Sequence, residues 1–182
     1  LFRSCVRMAY EQHRVVIFLE PIALYHTRDL FKEGDQLWSH SYPPQGEECP
    51  PGTCQIHGVG EDLCILSYGN GVYLSIQAQG DLLKKGIKAR IVDLLWLSPL
   101  DIPAILRAIG KSKRILLVDE CRKTGSLSEE LFTRLMEESP EELKVSRITG
   151  MDSFIPLGDA SSLVLLSRED ILREGLMLLE RS

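Results

Sequence analysis

The residues with the clearest chemical potential stand around Gly69-Asn70-Gly71 and around Glu120-Cys121-Arg122-Lys123. The glycine pair follows an apolar run, and Asp93 comes about twenty residues later, the spacing at which a dinucleotide fold places the acid for a ribose hydroxyl. Leu74 stands where the third glycine of that fingerprint belongs, so an ordinary tight turn is the plainer reading. Glu120 with Arg122 and Lys123 is a candidate anion or acid-base site; the alternative is a solvated loop whose acid pairs locally. Cys49, Cys54 and His57, in CPPGTCQIH, offer three metal donors with no fourth nearby, and a flexible Pro-rich linker is the plainer reading there. His13, His26, His40 and His57 all fall in the first third of the chain, and no G-x-S-x-G setting occurs. A stretch without histidine is an unusual place for self-sufficient acid-base catalysis near neutral pH.

The elements that must position these groups read most clearly between Asp62 and Asp93. An apolar run (Leu63 to Tyr68) meets the glycine turn, apolar residues then recur at helical spacing to Leu83, Gly86 closes the helix, and Ile87 to Leu95 is apolar again. Strand, helix, strand implies a parallel pair with a right-handed crossover. The pattern continues with a helix over Ile102 to Ile109, a strand at Ile115 to Val118 and a helix after Ser126, whose spacing to Glu129 suits a capping box. Leu143 to Ile148 has the alternating polarity of an edge strand, and Ser167 and Asp170 open a last amphipathic helix. The fold class expected is α/β, a doubly wound, mostly parallel sheet with helices on both faces over residues 62–182.

Ahead of it, residues 1–13 read as a short amphipathic helix and Val15 to Leu19 as a buried-type strand ending at Glu20-Pro21. One helix and one strand make no core, so residues 1–42 are expected to be the end of another α/β domain, packed on a sheet lying elsewhere. From Ile22 to Gly60 the pattern dissolves, and residues 43–61 are expected to be linker. The 182 residues carry a net charge of -5 with basic residues dispersed, which argues against nucleic acid or an anionic membrane as partner. No run is long enough to span a bilayer, and five cysteines without a framework suggest reduced, cytoplasmic usage. The opening residues show neither an initiator Met nor a signal-peptide layout, so the chain is expected to begin inside a larger protein.

Taken as an ordered set, VVIFLEPIALY, LCILSYGNGVYLSIQAQ, GIKARIVDLLWLSPLD, RILLVDECRKTGSLSEEL and VSRITGMDSFIPLG resemble the β part of the thiamine-diphosphate-dependent 2-oxo acid dehydrogenases. These are the decarboxylating first components of the pyruvate and branched-chain complexes, in the transketolase superfamily. The resemblance carries the SYG turn, Asp93 to Asp101 as D-L-x-x-L-x-P-L-D, Glu120 with Thr124 to Glu129, and Arg147 to Gly150. It implies the end of a pyrimidine-binding-type domain followed by a transketolase C-terminal-like domain. It also implies thiamine diphosphate and Mg2+ for the intact enzyme, held by domains whose G-D-G motif and early glutamate have no match here.

The resemblance further implies oxidative decarboxylation of a 2-oxo acid and acyl transfer to a lipoyl group by the intact enzyme, with this portion inactive alone. The implied partners are the rest of the dehydrogenase component, as homodimer or heterotetramer, and the acyltransferase core with its lipoyl domain. Glu20, Tyr25 and His26 become candidates for lining the substrate channel. The carbonyls of Ala9, Gln12 and Arg14 match a monovalent-cation site of some relatives. Gly69, Glu120 and Gly125 look architectural. Two other readings stand beside this one: a dinucleotide-binding oxidoreductase domain resting on Gly69, Gly71 and Asp93, and a non-catalytic interaction module.

Overall fold

The structure is a computed structural model that describes residues 1–181. Its core is a five-stranded sheet in the order β1-β3-β2-β4-β5, made of Cys54–His57, Leu63–Ser67, Ala89–Leu94, Arg114–Arg122 and Lys144–Gly150 in chain order. The β2, β3, β4 and β5 strands run parallel, as a strand-helix-strand pattern requires, and β1 lies antiparallel on the outer edge of β3.

Helices cover both faces. One face, with Leu63, Ile65, Ile91, Leu116 and Val118, is packed by α2 (Asn70–Lys84) and α5 (Arg168–Glu180). The other, with Leu66, Val92, Leu94, Ile115 and Leu117, is packed by α3 (Ile102–Ile109) and α4 (Leu127–Glu138). Every residue of β2 is buried, which is why that segment is a continuous apolar run rather than an alternating one. The β5 strand is half-buried nearly throughout and forms the far edge, as its alternation predicts. Arg90, a charge inside a strand, is accounted for by α3: its guanidinium donates to the carbonyl of Ala108 at 3.0 Å and so caps the end of that helix.

Two expectations are corrected. The strand over Val15 to Leu19 does not form; Val15, Ile17 and Leu19 are exposed, while Phe18 rests edge-on against Phe2 of α1 (Phe2–Glu11). A strand is stabilised by a ladder of hydrogen bonds to a neighbour, and the described residues supply none for this segment. Conversely, β1 arises within the stretch expected to be linker, paired from Cys54 with Leu94 to His57 with Ile91.

The segment before β1 is fastened to α2. Asp35 accepts the amides of Leu30, Phe31, Lys32 and Leu37, and Asp29 those of Gly34 and Gln36, folding a tight loop. Tyr73 donates to the carbonyl of Asp29 at 3.0 Å and Gln77 to that of Leu30 at 2.5 Å, while Trp38 stacks edge-on over Tyr73. Residues 28–40 thus form a clasp on the outer face of α2. In turn α1 is moored to the next stretch by Arg3 on the carbonyls of Pro43 and Pro44, by Arg7 on Glu48, and by Ser4.

Candidate functional site

In a doubly wound sheet the carboxyl ends of the strands are where ligands sit, so the ends of β2 and β4 are the place to look. Burial by itself would raise the Asp119 carboxyl. Three hydrogen bonds reverse that and hold it below the usual carboxylate range: from the Tyr68 hydroxyl at 2.6 Å, the Cys121 amide at 2.9 Å and the Ser128 amide at 3.0 Å. The same burial, with the Asp119 carboxylate alongside, pushes the Tyr68 phenol upward, so it remains a proton donor.

Glu120 is raised by burial and opposed by Asn70, whose side-chain amide donates to it at 2.5 Å. It does not gather Arg122 and Lys123 into an anion site: Arg122 donates instead to the carbonyl of Thr124. Beyond β4, Asp152 accepts both the amide and the hydroxyl of Thr124, and Glu129 accepts the amide of Gly125. Each carboxylate here is satisfied by its own chain, which is the signature of an architectural knot.

The glycine turn belongs to that knot. Gly69 holds φ +56 with Pro21 against it, and a Cβ on Gly71 would collide with Ser67 Oγ. A pyrophosphate at the start of α2 would meet the Glu120 carboxylate and Pro21 where a dinucleotide fold offers open amides. Asp93, the supposed ribose acid, is pushed up to about 7 by burial. This turn does not fit a dinucleotide.

The remaining candidates fall elsewhere. Tyr25 donates to Glu20 at 2.9 Å, and both are exposed, as is His26. The carbonyl of Ala9 accepts the Arg14 amide at 3.2 Å, where the chain turns at His13 with φ 52. Cys54 and His57 lie three residues apart on β1 and so point to opposite faces, out of reach of one ion. Among the described residues no group of three or more His, Cys, Asp or Glu is placed to hold a metal, and no helix is long and apolar enough to cross a membrane. Sequence reading missed the Tyr68–Asp119 and Asn70–Glu120 pairs. The available signal was the pair of acids closing an otherwise apolar run, Asp119 and Glu120.

Residues 52–171 match the model of the transketolase C-terminal domain family. The chain belongs to that family. Among curated proteins, this transketolase C-terminal domain chain is 29% identical over 167 residues to the pyruvate dehydrogenase E1 component subunit beta of Bacillus subtilis, covering 91% of this chain and 48% of that protein. It is 32% identical over 123 residues to the 2-oxoisovalerate dehydrogenase subunit beta of the same organism, covering 66% of this chain and 38% of the relative. It is 31% identical over 162 residues to the mitochondrial pyruvate dehydrogenase E1 component subunit beta of Pisum sativum, covering 84% and 45%. The chain thus spans about half or less of the curated relatives it matches. A solved split-gene transketolase, described as an inactive β4 tetramer, superposes with a TM-score of 0.62 at 23% identity, covering 74% of this chain and 45% of that one, and shares the fold.

Proposed function

We propose that this chain is the C-terminal portion of the β part of a thiamine-diphosphate-dependent 2-oxo acid dehydrogenase, serving subunit assembly and partner contact and inactive alone. The observation that carries this reading is the likeness to the Bacillus subtilis E1 beta subunit along 91% of the chain. The described residues do not fit a diphosphate with magnesium. The Gly69 turn is closed by Pro21 and Glu120, and the acids at the strand ends are committed to Tyr68, Asn70, Thr124 and Gly125. No chemical step is therefore assigned to this chain.

Its exposed apolar surface supports the assembly role. After β5, Met151, Phe154, Ile155, Leu157 and Leu163 all face solvent, Phe154 and Leu157 at 96% exposure. A concentration of large apolar side chains outside the core is the mark of a surface to be covered. On this reading Glu20, Tyr25 and His26 line the approach to the substrate. The carbonyls of Ala9, Gln12 and Arg14 take a monovalent cation there, and the intact enzyme hands its acyl group to the lipoyl arm of an acyltransferase.

The isolated chain, given thiamine diphosphate, Mg2+ and either pyruvate or 2-oxoisovalerate, is expected to release no carbon dioxide; release would overturn the reading. For the assembly role, a Phe154→Asp, Leu157→Asp variant is expected to keep its thermal melt and lose association with the remainder of the dehydrogenase component. Undiminished association would remove the role given to this surface.

A further inference from the structure

The CPPGTC stretch has no part in the function proposed above, yet the structure gives it a defined shape. Thr53 donates its amide at 3.1 Å and its hydroxyl at 2.7 Å to the carbonyl of Pro50, closing a turn with Pro51 and Gly52 at its centre and Gly52 at φ +84. Proline followed by a glycine of positive φ is the composition of a type II turn, which brings its end residues within about 7 Å. Cys49 and Cys54 leave that turn from its two ends.

Both are held in place. The Cys49 amide donates to Ser4 Oγ of α1 at 2.8 Å, and Cys54 begins β1 opposite Leu94. The turn rests on the N-cap of α3, where a Cβ on Gly52 would lie 2.7 Å from an Asp101 carboxylate oxygen. Both thiols are free and half-buried, whereas Cys5 of α1 is buried. Cys64 is sealed in the core, and Cys121 lies at the far end of β4, with β3 and β2 between it and β1.

We propose that Cys49 and Cys54 form a reversible dithiol–disulfide pair, closed across the Pro50–Thr53 turn by a hydroperoxide. Burial, with Asp93 and Asp101 nearby, pushes the Cys54 thiol up to about 11 and keeps it protonated at neutral pH, and the first attack is assigned to Cys49. Its thiolate attacks one peroxide oxygen, the O–O bond breaks, and water or an alcohol leaves after taking up a proton. The resulting sulfenic acid is attacked by the Cys54 sulfur, whose proton leaves with the sulfenic hydroxyl as one water. Two thiols lose two electrons and one peroxide gains them. The bond would tie the edge strand to the stretch that moors α1, a connection that now depends on the turn and on Ser4.

Cleavage after Glu48 and Glu61 releases residues 49–61 as one peptide containing both cysteines, which makes the test direct. The folded chain is treated with hydrogen peroxide, alkylated, digested and weighed. The expected product is that peptide, unalkylated and lighter by two hydrogens, restored to full alkylation by dithiothreitol. Cys54→Ser is expected to leave Cys49 as a sulfenic acid trapped by dimedone, and Cys121→Ser to change nothing. Full alkylation of both thiols after peroxide, or a cross-link from residues 49–61 to the Cys5 peptide in place of the internal bond, would overturn the proposal.

Discussion

The hydroxyl of Tyr68 stands 2.6 Å from Asp119 Oδ1 and pins the end of β2 to the end of β4. A hydrogen bond to a buried carboxylate contributes about 1.5–3 kcal/mol. Tyr68→Phe is expected to lower stability to urea at neutral pH by that amount. Asp119 is held below its unfolded pKa, so its stabilisation is present above about pH 4 and is lost as pH falls through the folded value. The deficit of the variant should therefore shrink in acid, as parallel urea titrations at pH 7 and pH 3 would show.

Asp93 has the opposite sign. Its carboxyl is pushed up to about 7 by burial, so the folded chain binds that proton more tightly than the unfolded chain. The contribution of Asp93 to stability is then greatest below about pH 4, falls as pH rises toward 7, and stays reduced above it. Asp93→Asn is expected to be more stable than the parent at pH 8 and to lose that slope. The check is the difference between the two chains' thermal midpoints from pH 4 to pH 8; a difference that does not vary with pH would refute the assignment.

Two glycines should respond very differently to one methyl group. A Cβ on Gly60 would run into the backbone of Lys88, whereas Gly86, at φ +80, has open space around it. Gly60→Ala is expected to cost more than about 2 kcal/mol, by overpacking against atoms that cannot give way. Gly86→Ala is expected to cost about 1 kcal/mol, from backbone strain alone. Chemical denaturation of the two variants decides.

Asp35 accepts four amides of the clasp on α2; against its own desolvation, these hold its carboxyl well below the ordinary range. Asp35→Ala is expected to speed hydrogen exchange at Leu30, Phe31, Lys32 and Leu37 by at least about tenfold while leaving β2 and β4 protected. Exchange that stays slow at those four amides would show that packing of Trp38 on Tyr73 holds the clasp unaided.

Local punctuation made much of this fold legible. Gly69-Asn70-Gly71 and Gly86 bracket α2, and the Ser167–Asp170 spacing delivers a complete capping box. Ser126 and Glu129 share that spacing, but Ser126 makes no side-chain bond to the helix amides and Glu129 takes the amide of Gly125 instead. Strand pairing was harder to see, because a ladder depends on what lies alongside. The apolar VVIFL segment finds no strand to pair with among the described residues and forms none, while the mixed CQIH segment finds β3 and does. At the site, Tyr68 and Asp119 are 51 positions apart, and only the folded sheet brings them together.

The free edges of the sheet have a consequence for encounters between molecules. An exposed strand edge invites pairing with a strand from another chain. Here one edge is only four residues long and emerges from a Pro-Pro-Gly turn, while the other carries Lys144 and Arg147 and adjoins an irregularity in register between Asp119 and Arg122. Short, charged and irregular edges are poor templates for edge-to-edge aggregation. The apolar side chains of the loop after β5, by contrast, can be buried without extending the sheet.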